Sequence, residues 1–233
     1  AFAVSQTRTE APLLPPALFA KRAFTAGNAA SFLLVASLFS AVFFLAQFLQ
    51  TGLGHDPLGA GLRLLPWTAT LFFVAPVAGK LVDRVGERPF LAAGLALQGV
   101  GLGWIALVAA TDVEYIVLVP ALMIAGCGVS MALPAAQNAV VGAVSEADVG
   151  KAAGVNSMLR ELGGVFGIAV AVAVFAAAGS YVDATTFVDG FSAALATSAG
   201  LSLLGALTAL GVPARRPQAD ASSSYDRTRA ATS

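Results

Sequence analysis

Charge is scarce in this sequence. Only 11% of its 233 residues are charged and 58% are apolar, whereas a soluble domain carries about 25% charged residues and about 45–50% apolar ones. With a mean hydropathy of +0.82 there is too little polar surface to cover a water-soluble fold, so the lipid bilayer is the expected solvent and first partner. The 13 Lys and Arg balance 13 Asp and Glu to a net charge of zero. Without a clustered basic surface to neutralise phosphates, nucleic acid is excluded as a partner. A single cysteine, Cys127, excludes an internal disulfide and any multi-cysteine metal cluster, and the single histidine, His55, has no metal-ligand companions. No metal or cofactor is expected. Ala1 to Ala20 has no basic region leading into an apolar core, so it is not a secretory signal, and the missing initiator Met makes an interior start the expectation.

What is present is a series of long apolar runs. A helix crosses the hydrocarbon with about 20 apolar residues, and six stretches reach or approach that length: about Phe24–Gln50, Arg63–Val82, Pro89–Ala110, Tyr115–Ser145, Gly150–Ala178 and Gly190–Val212. They are too long for barrel strands of about 10 residues and lack their alternation. The expected fold is therefore an all-α membrane protein, with a cytoplasmic linker at 1–23, six transmembrane helices over 24–212 and a disordered cytoplasmic tail at 213–233. Cytoplasmic loops hold an excess of Lys and Arg. Arg8, Lys21, Arg22, Lys80, Arg84, Arg88, Lys151, Arg215, Arg216, Arg227 and Arg229 all fall on one side of the six spans, leaving Arg63 at an outer end and Arg160 inside span five. Both ends are thus expected in the cytoplasm and the protein in the plasma membrane as a multi-pass chain. Trp67, Trp104, Tyr115 and Tyr181 lie near predicted outer ends, where amphipathic rings favour the headgroups.

The sharpest motif joins spans two and three: Gly79, Lys80, Leu81, Val82, Asp83, Arg84, Val85, Gly86, Glu87, Arg88. The negative dipole end of span two favours Arg84, the positive end of span three favours a carboxylate such as Asp83, and Gly86 permits a tight turn. This link resembles the loop signature of the major facilitator superfamily, with Gly79, Leu81, Asp83, Arg84 and Gly86 matching and Glu87 departing from it. GVNSMLRELGGVFGIAV from Gly154, QTGLGHDPLGAGLRLLP from Gln50 and GCGVSMALP from Gly126 resemble segments of its fourteen-span drug:proton antiporter family.

The resemblance implies the carboxy-terminal six-helix half of such an exporter, built as a 3+3 inverted repeat, with the amino-terminal half as its missing partner. It also implies a gating role for Gly79, Asp83, Arg84, Gly86 and Arg88, a small-molecule substrate and a proton as the coupling ion. The first and fourth helices of a half line the cavity in that superfamily, which makes Asn28, Ser31, Ser40, Gln47, Gln137 and Asn138 candidate cavity groups for hydrophobic or cationic drugs.

In span five, Asn156, Arg160, Gly163 and Gly167 recur at helical spacing. An Arg at mid-helix costs ~2.5–3.5 kcal/mol on insertion scales, so Arg160 is expected to face protein, water or the interface. It can hold an anionic group, bias a titrating carboxylate or anchor to lipid phosphate; Glu161, about 100° around the helix, is a candidate proton site. The pairs Gly99 and Gly103, Gly126 and Gly128, and Gly150 and Gly154 suit helix packing.

No enzymatic role is expected. Two alternatives stay open: a half-sized membrane protein acting as a homodimer or assembly partner, and an intramembrane serine hydrolase using Ser130. The second needs a general base beside Ser130, whereas His55 is in an outer loop.

Overall fold

Each boundary in the chain has a local cause. A computed structural model describes residues 16–214; most of the expected linker and tail, including Arg8 and the four arginines from Arg215 on, lies outside the described residues. A short α1 (Pro16–Phe19) leads into α2 (Arg22–Gln47), which continues through a wide π-helical turn at Phe48–Gly52. Next come α3 (Pro57–Arg63), α4 (Leu65–Val85), α5 (Glu87–Val108), α6 (Tyr115–Val141), a 3-10 turn at Glu146–Asp148, α7 (Val149–Ala178) and α8 (Ala184–Ala209). There is no strand among the described residues. Six stretches are long and apolar enough to cross a bilayer, as the hydropathy pattern predicts.

Two helix starts differ from the sequence expectation because capping decides them. Asp56 accepts a hydrogen bond from the Gly59 N–H at 3.0 Å and Pro57 takes the first helical position, which starts α3 ahead of the charged Arg63. Asp183 accepts from the Thr186 N–H at 2.9 Å and starts α8 at Ala184 rather than near Gly190.

The packing order exposes an internal symmetry. α2 packs on α6, α7 and α8, while α6 packs on α2, α4 and α5, and α5 lies against α8. Exchanging the set α2, α4, α5 with α6, α7, α8 turns the α2–α7 contact into α6–α4 and the α2–α8 contact into α6–α5. The second helix of each triplet packs on the first helix of the other, the arrangement of two inverted three-helix repeats.

Small residues set the spacing, since in lipid helices associate through close van der Waals packing. A methyl group on Gly94 would meet the carbonyl of Gly128, and one on Gly101 the backbone of Ala121 and Ala125, so α5 and α6 are in backbone contact. Gly126 lies against the carbonyl of Trp67. This approach buries Trp67 to 3% exposure instead of leaving it as a headgroup anchor, whereas Trp104 and Tyr181 are exposed. Gly150 and Gly154, by contrast, have nothing within 4 Å of a methyl group built on them; they pack against no described residue.

Aromatic rings weld the far ends of α2, α7 and α8: Phe48 stacks on Phe191 at 4.2 Å and Phe44 on Phe175 at 5.3 Å. Burial is uneven. Of the most apolar stretch of α2, 56% is buried, against 22% in the α3–α4 span and 28% in the span containing α7.

Candidate functional site

The second half of α2, the first half of α4 and the middle of α6 border an open apolar cavity of about 310 Å³, lined by Leu38, Phe39, Val42, Leu64, Trp67, Thr68, Leu71, Val129 and Leu133. That volume lies at the lower end of drug-sized sites. No charged side chain borders it, and Thr68 supplies the one hydroxyl. At the junction of α3 and α4 Leu64 ends one helix and Leu65 begins the next, and Leu64, Trp67, Thr68 and Leu71, at helical spacing, form one wall of the site. Next to Leu64 but outside the lining, Arg63 has its guanidinium 5.5 Å from the Tyr115 ring centre, while the Tyr115 hydroxyl donates to the Arg63 carbonyl at 3.0 Å.

None of the six polar groups expected in a cavity lines this one. Ser40 and Ser37 face α8: Ser40 shares a 2.7 Å hydrogen bond with Ser198, and Ser37 donates to the Ser198 carbonyl at 2.7 Å. Gln47 accepts from the Tyr181 hydroxyl at 2.6 Å beyond the aromatic cluster. Gln137 is exposed. Asn138 borders a different cavity of about 320 Å³, with Ala23, Glu87, Gly142 and Val212, at the opposite end of the bundle. For Ser40 and Gln47 the reason is that a hydroxyl or amide in apolar surroundings is stable with a partner, and Ser198 and Tyr181 supply it.

Asn28, Ser31 and Asn156 come together between α2 and α7. Asn28 donates to the Phe24 carbonyl at 2.9 Å and accepts from the Asn156 amide at 3.1 Å; both are buried. The Ser31 hydroxyl is buried with no hydrogen-bond partner among the described residues. Above this pair, methyl groups on Gly163 and Gly167 would strike the carbonyls of Phe32 and Ala36, so the small-residue face read from span five is the seam on which α7 lies along α2. Arg160 is half-buried on that seam, Glu161 is exposed, and neither has an ion-pair partner among the described residues.

The loop signature is tighter than the sequence suggests. α4 runs to Val85 and α5 starts at Glu87, leaving Gly86 alone between them at φ +101°, a conformation that side chains rarely adopt. The backbone of Asp83 and Arg84 is therefore the last turn of α4; their side chains lie outside the described ones. It is Glu87, not Asp83, that occupies the first turn of α5, where the helix dipole favours a carboxylate. Arg88 follows it, half-buried, and Gly79 has open space around its Cα.

Two groups escaped the sequence reading. Gln98 is fully buried in α5 and donates to Ser37 at 3.2 Å, and Ser202 of α8 donates to the Leu95 carbonyl at 2.8 Å. An isolated Gln in an apolar run was the available signal, because an amide in lipid needs a protein partner. Ser130 is fully buried and donates to the Gly126 carbonyl at 2.7 Å, with Thr70 at 3.3 Å. No general base stands among these partners, and the serine hydrolase alternative has no support in the geometry.

Six membrane-length helices in two triplets related by exchange, with an apolar pocket between the first helices of each, define a multi-pass membrane protein with the repeat architecture found in secondary transporters. The sequence model of the Major Facilitator Superfamily matches residues 27–232, and the chain belongs to that superfamily. It is 34% identical over 174 residues to the lincomycin resistance protein of Streptomyces lincolnensis, covering 75% of this chain and 36% of that protein. To the cephamycin export protein of Amycolatopsis lactamdurans it is 35% identical, again over 75% of this chain and 36% of that protein. The quinolone resistance protein of Staphylococcus aureus is 30% identical over 87% of this chain and 43% of its own length. The chain thus spans well under half the length of these relatives, which carry the names of exporters and resistance proteins rather than of enzymes.

Proposed function

We propose that this chain is the carboxy-terminal half of a proton-coupled exporter of drugs or other small hydrophobic or cationic compounds, inserted in the plasma membrane with both ends of the chain in the cytoplasm. The observation that carries the reading is the apolar cavity at the meeting of α2, α4 and α6, in a bundle whose α4 and α7 leave most of their apolar surface unburied. An area-driven chamber with few fixed hydrogen bonds accepts many compounds of similar size. The low burial of α4 and α7, together with relatives of more than twice this length, favours a second half of the same transporter as the covering partner.

The test is drug susceptibility and efflux of an apolar fluorescent dye in a host lacking its own exporters, using the complete coding sequence around this chain. Protonophore-sensitive efflux is the expected outcome; efflux unchanged by collapse of the proton gradient removes proton coupling, and absence of efflux removes the exporter reading. The same low burial leaves a homodimer as the second reading, which the mass of the purified 233-residue chain in mild detergent decides.

A further inference from the structure

Apart from Arg63 near the start of the α3–α4 span, Arg160 and Glu161 are the charged side chains set deepest in any span: α2 has none after Arg22, α4 none before Lys80, α5 none after Arg88, α6 none at all and α8 none after Asp189. A guanidinium in that setting is costly without an acceptor. No carboxylate stands against it among the described residues. Asn156, one turn away, directs its amide to Asn28, whose own amide is engaged by the Phe24 carbonyl, and the buried Ser31 hydroxyl has no acceptor among the described residues. Glu161 projects about 100° away and makes no ion pair with Arg160.

The register of α7 places this polar cluster beside the apolar cavity. A methyl group on Gly164 would stand 3.5 Å from the ring of Phe39, and Phe39 is a wall of the cavity. Arg160 lies on the same face one turn below Gly164, about 6 Å along the axis. An apolar chamber without charge and a guanidinium without acceptor are thus adjacent. We propose that together they form one binding site for an amphipathic organic monoanion, its ring in the cavity and its carboxylate on Arg160. The proposal rests on the exporter reading and narrows its substrate class.

The test compares 2-naphthoate with 2-naphthamide, which share one ring system and differ in charge, binding to the complete transporter in phosphatidylcholine nanodiscs. The expected result is tighter binding of the naphthoate, weakened about tenfold or more by Arg160→Gln, partly restored in Arg160→Lys, with naphthamide affinity changed less than twofold. Unaltered naphthamide affinity also shows that the variant is folded; if Arg160→Gln does not fold, Arg160→Lys against wild type carries the comparison, because it keeps the charge and loses the bidentate fork. Equal loss for both probes, or tighter binding of the amide by the wild type, overturns the proposal. So does loss of naphthoate binding when phosphatidylglycerol is added, because that assigns Arg160 to a lipid phosphate. Dye efflux by the same wild-type protein in cells separates the two levels: efflux with no preference for naphthoate defeats the proposal alone, and no efflux defeats the exporter reading on which it rests.

Discussion

The inverted repeat relates two seams, α7 on α2 and α4 on α6, and they solve one packing problem with different chemistry. Along α2–α7 the glycines belong to the peripheral helix, Gly163 and Gly167 facing the carbonyls of Phe32 and Ala36. Along α4–α6 the glycine belongs to the central helix, Gly126 facing the carbonyl of Trp67. The polar clasp is a pair of amides in the first seam, Asn28 with Asn156, and a pair of hydroxyls in the second, Thr70 with Ser130. The first has Arg160 within it, and the cavity is walled by α4 and α6 of the second together with α2 of the first. Symmetry of the backbone leaves the side chains free to divide the work: one seam supplies volume, the other supplies polarity.

Replacing Gly167 by Val drives a branched side chain into the Ala36 carbonyl, and because backbone cannot yield as a flexible side chain does, the loss is expected to reach ~3 kcal/mol or more. Gly126→Val is expected to cost as much in the other seam, whereas Gly154→Ala, with open space around it inside a helix, should cost nothing and stabilise by up to ~1 kcal/mol. Thermal unfolding in one detergent ranks all three. A next smaller effect separates the clasps. Asn156→Ala leaves the Asn28 carbonyl oxygen without its donor and is expected to cost ~1–2 kcal/mol, while Thr70→Val is expected to cost ~0.5 kcal/mol, since Ser130 keeps its bond to the Gly126 carbonyl. A double-mutant cycle of Asn28→Ala and Asn156→Ala should return a coupling energy, and one of Asn156→Ala with Thr70→Val should be additive.

The smallest effect lies outside both seams, at the start of α8. Hydrogen bonds from Thr186 hold the Asp183 carboxyl below its ordinary value. A lowered folded value means that the cap contributes fully above the unfolded value near ~3.9 and is lost as pH falls through the lower folded value. Hydrogen exchange at the Thr186 amide should therefore rise, relative to its intrinsic rate, only in strong acid. Asp183→Asn should keep the cap and abolish that pH dependence.

The six spans and the glycine turn at Gly86 were legible because both depend on local sequence: length of apolar runs in one case, a forced positive φ in the other. The face of α7 at Gly163 and Gly167 was legible from its spacing. Orientation of polar groups was not. Ser40 reads as a chamber residue until Ser198 is known to stand opposite it, and in helices apolar all round no hydrophobic face marks the side that Ser37 or Gln98 presents. The chamber itself was hidden because its walls come from α2, α4 and α6, which are distant in sequence.

The Gly86 connection has a mechanical corollary. α4 lies along α6 and touches its sequence neighbour α5 only sparsely, yet a single residue ties the two ends together. A tether that short has no slack. Any tilt that lifts the Val85 end of α4 from the bundle must pull on the first turn of α5 directly, or be absorbed as torsion at one pivot, so the lever and its fulcrum are consecutive residues.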